Sequence, residues 1–397
     1  MAAGTSKPDP QYPQLFEEIW RTVNEKFFDP GFAGINWNAV KRRYQPRVNG
    51  VKDDRTFHAL MQQMLAEIPV SHLTLRIPRQ QGVVGVGVNT KLIEGKTVIV
   101  SVAAGSDAQA KGLRAGDVIL DPDRQKGDLG STAILQVKGC DGRRRIVRVR
   151  RESHTASEHP SIRWRTFSVD RGRKIGFIRT VRFEDDAAPL IDAAMHDLKD
   201  TKSIIIDARD NGGGNMSFVR LNSYFSSGEH LVVALLMRQY LESIGKRPLN
   251  IDPLSLPPVY KAYTDDQIFA SLRGNNGAAA FYSEDLGEKK YRGKVVILIN
   301  EETESAAEGF AWHARSKTDA VLIGRRTPGV LLGAEYFHLP GGWILGVPTQ
   351  SGWGPDGRPV IDEPVSPHIV TKWSVDDVCT GRDPDIAKAM EVINAPE

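Results

Sequence analysis

Residues 294–311 read KVVILINEETESAAEGFA, and the fold turns on how this stretch is parsed. Val295 to Ile299 is a short β-branched and aliphatic run. It is too short for a buried helix and reads as an interior strand. Asn300 to Glu304 is a polar turn, and Ser305-Ala306-Ala307-Glu308 opens a helix that continues through Trp312. A serine at such a strand-to-helix corner has free helix N–H groups and a positive field behind it. That placement suits a nucleophile whose attack builds an oxyanion. For an isolated serine before a helix, an ordinary N-cap is the commoner reading.

A second stretch separates those readings. Residues 203–214 read SIIIDARDNGGG. Ile204, Ile205 and Ile206 form another interior strand, and the glycines Gly212, Gly213 and Gly214 follow. Three adjacent glycines cost backbone entropy and pack nothing. They make sense where main-chain N–H groups closely approach a ligand. Two such corners at one edge of a parallel sheet make a site.

With Asp207, Arg209, Asn211, Gly212, Gly213 and Gly214 followed by Ser305, Ala306 and Glu308, the chain resembles the tail-specific, or C-terminal processing, serine peptidases, including the core of tricorn protease. The motifs match a strand ending in D-x-R-x-N-x-GG and a later S-A-x-E. The resemblance implies a multidomain α+β protein. A helical subdomain (11–78) would follow a flexible tail (1–10). A PDZ-like β domain would span 82–152. An α/β core of the crotonase/ClpP-like kind would span 160–397, with an insertion around 226–293.

Local patterning agrees with that division. Leu15, Phe16, Ile19, Trp20, Val23 and Phe27 recur at helical spacing. A second helix is expected from about Asn36, and a third from about Asp54 to Ile68 with Asp53 or Asp54 as cap. Val84-Gly85-Val86-Gly87 matches the carboxylate-binding loop of a PDZ domain, and residues 112–120, GLRAGDVIL, match its later signature. Such a domain adds a peptide as an extra strand and holds its terminal carboxylate on backbone N–H groups. Strands are expected at Lys174–Val181, Val232–Met237 and Ala320–Gly324, and a closing helix at Pro384–Ile393.

The resemblance also implies a catalytic set. One scheme in the family uses a lysine in a T-F-G-K turn. Here that turn is Thr327-Pro328-Gly329-Val330, and valine cannot take a proton. The tricorn-like scheme uses histidine, and Ser71-His72 stands where its D-S-H-T motif would fall, with Val70 and Leu73 replacing the flanks. Ser305 would then be the nucleophile, His72 the general base and Ser71 its partner. The N–H groups of Gly212 or Gly213 and of Ala306 would bind the oxyanion. For the third acid, Glu363 fits after a two-residue slip, with Asp362 beside it. The expected function is a serine endopeptidase cleaving proteins or peptides near apolar C-terminal tails, without a cofactor or metal.

Two other classes compete. The same fold serves non-hydrolytic binders, one of them a retinoid-binding protein of the eye, and the departures at Val70, Ile361 and His368 suit a silent peptide- or apolar-ligand-binding protein. An acyl-thioester enzyme of the crotonase type would also use paired N–H groups, but leaves Ser305 and the 112–120 signature unexplained.

Composition narrows partners and compartment. The 397 residues carry 52 basic and 49 acidic side chains, a net charge of +3. That balance does not imply a nucleic-acid partner. The basic run from Arg143 to Arg151 alternates with Ile146, Val147 and Val149, as on an edge strand. No segment approaches the ~20 apolar residues of a membrane span. The two cysteines, Cys140 and Cys379, have no metal-ligand spacing, and their pairing is left open. Met1 to Pro10 lacks a signal peptide's apolar core. An extracytoplasmic protein whose signal has been removed is favoured over a cytoplasmic one.

Overall fold

The computed structural model describes residues 12–78, 83–154, 159–169, 172–245, 248, 250–360 and 363–395. The expected tail at 1–10 lies outside them. The chain is a mixed α/β protein of two compact units. Of the described residues, those within 12–78, 160–322 and 326–368 form one, and those within 83–159, 323–325 and 369–395 the other.

In the first unit, the two sequence stretches that read as interior strands are neighbours. Ser203–Asp207 lies parallel to Lys294–Ile299, with Ile206 opposite Ile297. Its other side pairs in parallel with Lys174–Thr180, with Ile178 opposite Ile206. Lys174–Thr180 is in turn flanked by antiparallel Ile162–Ser168. Ile204, Ile205 and Ile206 are fully buried, as expected of strands covered on both faces. Helices Ala187–Leu198, Phe218–Ser223 and Ala306–Lys317 contribute to the adjoining core. Parallel neighbours point the same way, so the loops after Asp207 and after Ile299 leave the sheet at the same edge.

A second sheet is built round the long strand Ile344–Trp353. It pairs with Thr74–Arg76, Gly333–His338 and Leu231–Met237, and the last pairs with Ala278–Tyr282. This sheet has a core on each face. Val232, Leu235, Ala279 and Phe281 enter the core shared with the parallel sheet. Leu231, Ala234, Leu236, Ala278 and Ala280 enter the core of the N-terminal helices. Residues 226–293, expected as an insertion, therefore supply central strands. The apolar run Leu231–Met237 is what burial on two faces requires.

The N-terminal helices run Tyr12–Lys26, Trp37–Val48 and Asp54–Leu65. Asn36 and Asp53 cap the second and third, each accepting a backbone N–H three residues on. The third expected helix ends at Leu65 rather than Ile68. The chain then turns through Ser71 and His72 into Thr74–Arg76, so His72 sits in a turn rather than on a strand.

The second unit holds a five-stranded antiparallel sheet: Val88–Ile93, Lys96–Val102, Val118–Ile119, Thr132–Lys138 and Arg144–Arg150. Val83–Gly85 pairs with Glu152–His154 as a separate ribbon. Residues 369–395, expected with the core, cluster here. A disulfide joins Cys140 to Cys379. Val378, Trp373 and Val375 pack on Ile93, Val98 and Val118 of the sheet. Gly116 packs against the bridge, where a β-carbon would meet both sulfurs at under 3 Å.

Candidate active site

The strand-to-helix corner at Ser305 is strained. Its φ is 54° and ψ −121°, a conformation that non-glycine residues rarely adopt. Such strain costs on the order of 1–3 kcal/mol and persists only where the surroundings enforce it. Glu308 does so from one turn along. Its carboxylate is fully buried. It accepts the N–H of Ser305 at 3.1 Å, the N–H of Val330 and of Gly329 at 2.7 Å each, and the Thr327 hydroxyl at 2.5 Å. A buried carboxylate is tolerated when several donors surround it, and here each donor belongs either to the Ser305 corner or to the turn at 327–330.

The glycine loop is held against the same corner. Asn211 is buried; its carbonyl accepts the N–H of Glu304 at 2.9 Å and its side-chain amide donates to Thr180. Asn300 spans the two loops, accepting the Asp210 N–H at 3.0 Å and donating to the Asp210 carboxylate at 2.6 Å. Asp207 receives Arg179 and Arg209, each at 2.8 Å. The polar residues of both motifs thus lock two loops of adjacent strands together.

Gly213 makes the contact possible. With φ at +88°, a β-carbon there would lie 2.7 Å from Cβ of Ser305 and 2.8 Å from the carbonyl of Glu304. Only glycine fits. Its N–H, however, donates to the Asn211 side chain at 2.9 Å. Of the two glycine amides expected as oxyanion donors, Gly213 is thus already engaged. Among the described residues no acceptor takes the N–H of Gly212 or of Ala306.

His72 also has a positive φ, of 62°. Its place in the chain is set by the strand it precedes, where Thr74 pairs with Gly346. Its Nε2 lies 3.3 Å from the carbonyl oxygen of Val330. A carbonyl can only accept, so Nε2 carries hydrogen and the neutral ring's lone pair is on Nδ1.

Ser305, His72, Gly212 and Ala306 line one cleft of about 220 Å³. Its other walls are mostly apolar: Met216, Phe218, Val232, Leu235, Ile268, Phe269, Trp312 and Leu332 contribute, with Arg182 and Asp265 as charged members. Burial, with Asp185 and Asp266 adding, holds the Asp265 carboxyl above its usual range. Ser71 is half-buried beside His72. Glu363 is exposed and does not line the cleft, so the expected acid stands apart from this group. Asp362 lies outside the described residues. Val84, Gly85, Val86 and Gly87 stand at the ribbon and sheet start of the second unit. The sequence reading gave no role to Glu308 beyond its motif, and did not single out Asn300. A buried acid is visible as such only once its donors are known.

A strained serine at a helix N-terminus shares an apolar cleft with an imidazole and with the unengaged amides of Gly212 and Ala306, and such a set can carry serine-type hydrolysis. Residues 174–371 match the model of peptidase family S41, and residues 8–66 that of the tricorn protease C1 domain. The chain belongs to the S41 peptidases. It is 23% identical over 356 residues to the carboxyl-terminal-processing protease of Picosynechococcus sp., covering 83% of this chain and 75% of that one. It is 22% identical to tricorn protease homolog 1 of Streptomyces coelicolor, covering 97% of this chain but 35% of that protein. The solved structure of mature CPAF complexed with lactacystin shares the fold, with a TM-score of 0.66 at 13% identity, over 96% of this chain and 97% of that one.

Proposed function

We propose that this serine peptidase cleaves protein or peptide substrates near apolar C-terminal tails, with Ser305 as nucleophile and His72 as general base. The observation that carries the assignment is the shared cleft, lined by both residues and by Gly212 and Ala306. In the first step the Ser305 hydroxyl attacks the scissile carbonyl and its proton passes to the lone pair of His72. The carbonyl oxygen becomes an oxyanion, received by the N–H groups of Gly212 and Ala306. Each such donor is typically worth about 10² to 10³ in rate. Collapse expels the amine, which takes the proton back from the imidazolium. Water then releases the acyl group by the same route. Ser71, next in the chain, orients the imidazole.

The apolar walls suit an apolar side chain on the acyl side of the scissile bond. The second unit serves as a PDZ-like module, with Val84 to Gly87 as its carboxylate-binding loop. The Cys140–Cys379 bridge supports an extracytoplasmic setting, because disulfides persist in oxidising compartments.

A fluorophosphonate probe tests the assignment. Labelling of Ser305 that falls sharply in His72→Ala is expected. Labelling elsewhere, or labelling of Ser305 unchanged by His72→Ala, would overturn it.

A further inference from the structure

The second unit carries a surface whose residues do not line the cleft of Ser305. Strand Arg144–Arg150 is the outer strand of the five-stranded sheet and pairs there with Thr132–Lys138. The register sets Lys138 opposite Arg144, Gln136 opposite Ile146, Ile134 opposite Arg148 and Thr132 opposite Arg150. Directly paired residues share a face, and all eight are exposed. The alternate residues Val147, Val149, Leu135 and Val137 are buried in the core beneath.

This outward face is basic and apolar together. Among the described residues, the side chains of Lys138, Arg144, Arg148 and Arg150 form no ion pair. Two carboxylates of this unit are used otherwise: Asp141 faces Arg143 at 3.9 Å in the hairpin turn, and Asp107 accepts the backbone N–H of Arg150 at 2.8 Å. Lys138 directly opposite Arg144 is repulsive and works against the pairing of the strands. Between the cations, Ile146 is 70% exposed and Ile134 40% exposed.

Protection of a sheet edge explains charge on the outer strand. It does not explain two bare isoleucines on the same face. Nor does nucleic-acid binding, which would place aromatic side chains among the cations for stacking. The face is about 20 Å long by strand geometry. A partner with negative charge at its surface and hydrocarbon just beneath satisfies both features. Arginine and lysine chains reach headgroup phosphates while neighbouring isoleucines enter the acyl boundary.

We propose that this face docks the protein on an anionic phospholipid surface. The contact is peripheral, with the four cations at headgroup level and Ile134 and Ile146 inserted between them. It is independent of the catalytic assignment.

The test is co-flotation of the full chain with vesicles. At 50 mM salt, vesicles with 30 mol% phosphatidylglycerol are expected to bind at least ten times more protein than pure phosphatidylcholine vesicles. Raising the salt to 0.5 M should remove most of that binding, since screening then acts within a few ångströms. The variant R148E/R150E should lose it about tenfold or more, and I146S severalfold. K52E, an exposed lysine of the other unit, should bind as the parent does. Circular dichroism and a thermal melt check that each variant is folded. Equal binding to both vesicle types, or anionic binding unaffected by R148E/R150E, overturns the proposal. So does binding that polyglutamate abolishes and I146S leaves intact, which would identify a soluble acidic partner instead.

Discussion

The Nε2 atom of His72 lies 3.3 Å from the carbonyl oxygen of Val330. The N–H of that same valine donates to Glu308 at 2.7 Å, and Glu308 holds the N–H of Ser305. One residue therefore ties the imidazole, through a buried carboxylate, to the corner bearing the hydroxyl. Residues 72 and 305 are far apart in sequence, and this chain of contacts makes their placement interdependent.

Removing the hydroxyl should abolish turnover and leave the fold intact. Ser305→Ala is expected to reduce cleavage of a tail peptide by about 10⁴ or more, because nucleophile and base act as a unit. Its thermal melt should match the parent. Residual cleavage at the parental rate would refute the nucleophile assignment.

Glu308→Gln should damage structure and chemistry together. A carboxamide has one acceptor oxygen and presents N–H groups to donors that have nowhere else to point. A loss of about 2–3 kcal/mol is expected from charged hydrogen bonds of this kind, read by urea denaturation. Fluorophosphonate labelling of Ser305 should slow in parallel. A variant of parental stability would mean that the network contributes nothing.

Gly213→Ala adds a β-carbon 2.7 Å from Cβ of Ser305 at a φ of +88°. Strain at such positions costs on the order of 1–3 kcal/mol, and relief requires Ser305 to move. Reduced stability and loss of Ser305 labelling are expected. The comparison is Gly228→Ala, also at positive φ but with open space around it, which should lose stability and keep its labelling.

Stability should fall on mild acidification. His313 lies fully buried on the helix that Ser305 begins, its Nε2 3.3 Å from the Ser226 hydroxyl and its ring 6.2 Å from that of His230. Burial, with the charges of His230 and Lys317 adding, pushes its imidazole down to about 4. An unfolded imidazole titrates near 6.5. Between those values the unfolded chain binds a proton that the folded chain refuses. The stability is thus whole above pH 6.5 and is lost progressively as pH falls towards 4, by about 3 kcal/mol. Urea midpoints from pH 7.5 to 4.5 should show this slope, and His313→Gln should flatten it.

Much of the scaffold was legible because its signals are local. Ile204–Ile206 and Val295–Ile299 read as interior strands from composition alone, and both are buried. The helix starts near Asn36 and at Asp53 or Asp54 were legible locally, and the structure makes Asn36 and Asp53 the caps. Residues 226–293 were harder, because strands buried on both faces, such as Ala278–Tyr282, carry no alternation to read. The sequence groups the C-terminal residues with the core, whereas residues 369–395 cluster with the second unit, and nothing near Cys379 reveals that Cys140 is its neighbour.

Sequence alone determined the two loops, their glycines and the serine at the helix start, because strand, turn and cap preferences are set by residues a few positions apart. The tertiary structure decided what stands against them. It engaged the Gly213 amide with Asn211, put Glu308 at the hub, left Glu363 exposed, and brought His72 into the cleft of Ser305. Those outcomes depend on which buried donors find which acceptors across hundreds of residues, and that pairing is fixed only when the sheets and cores have formed.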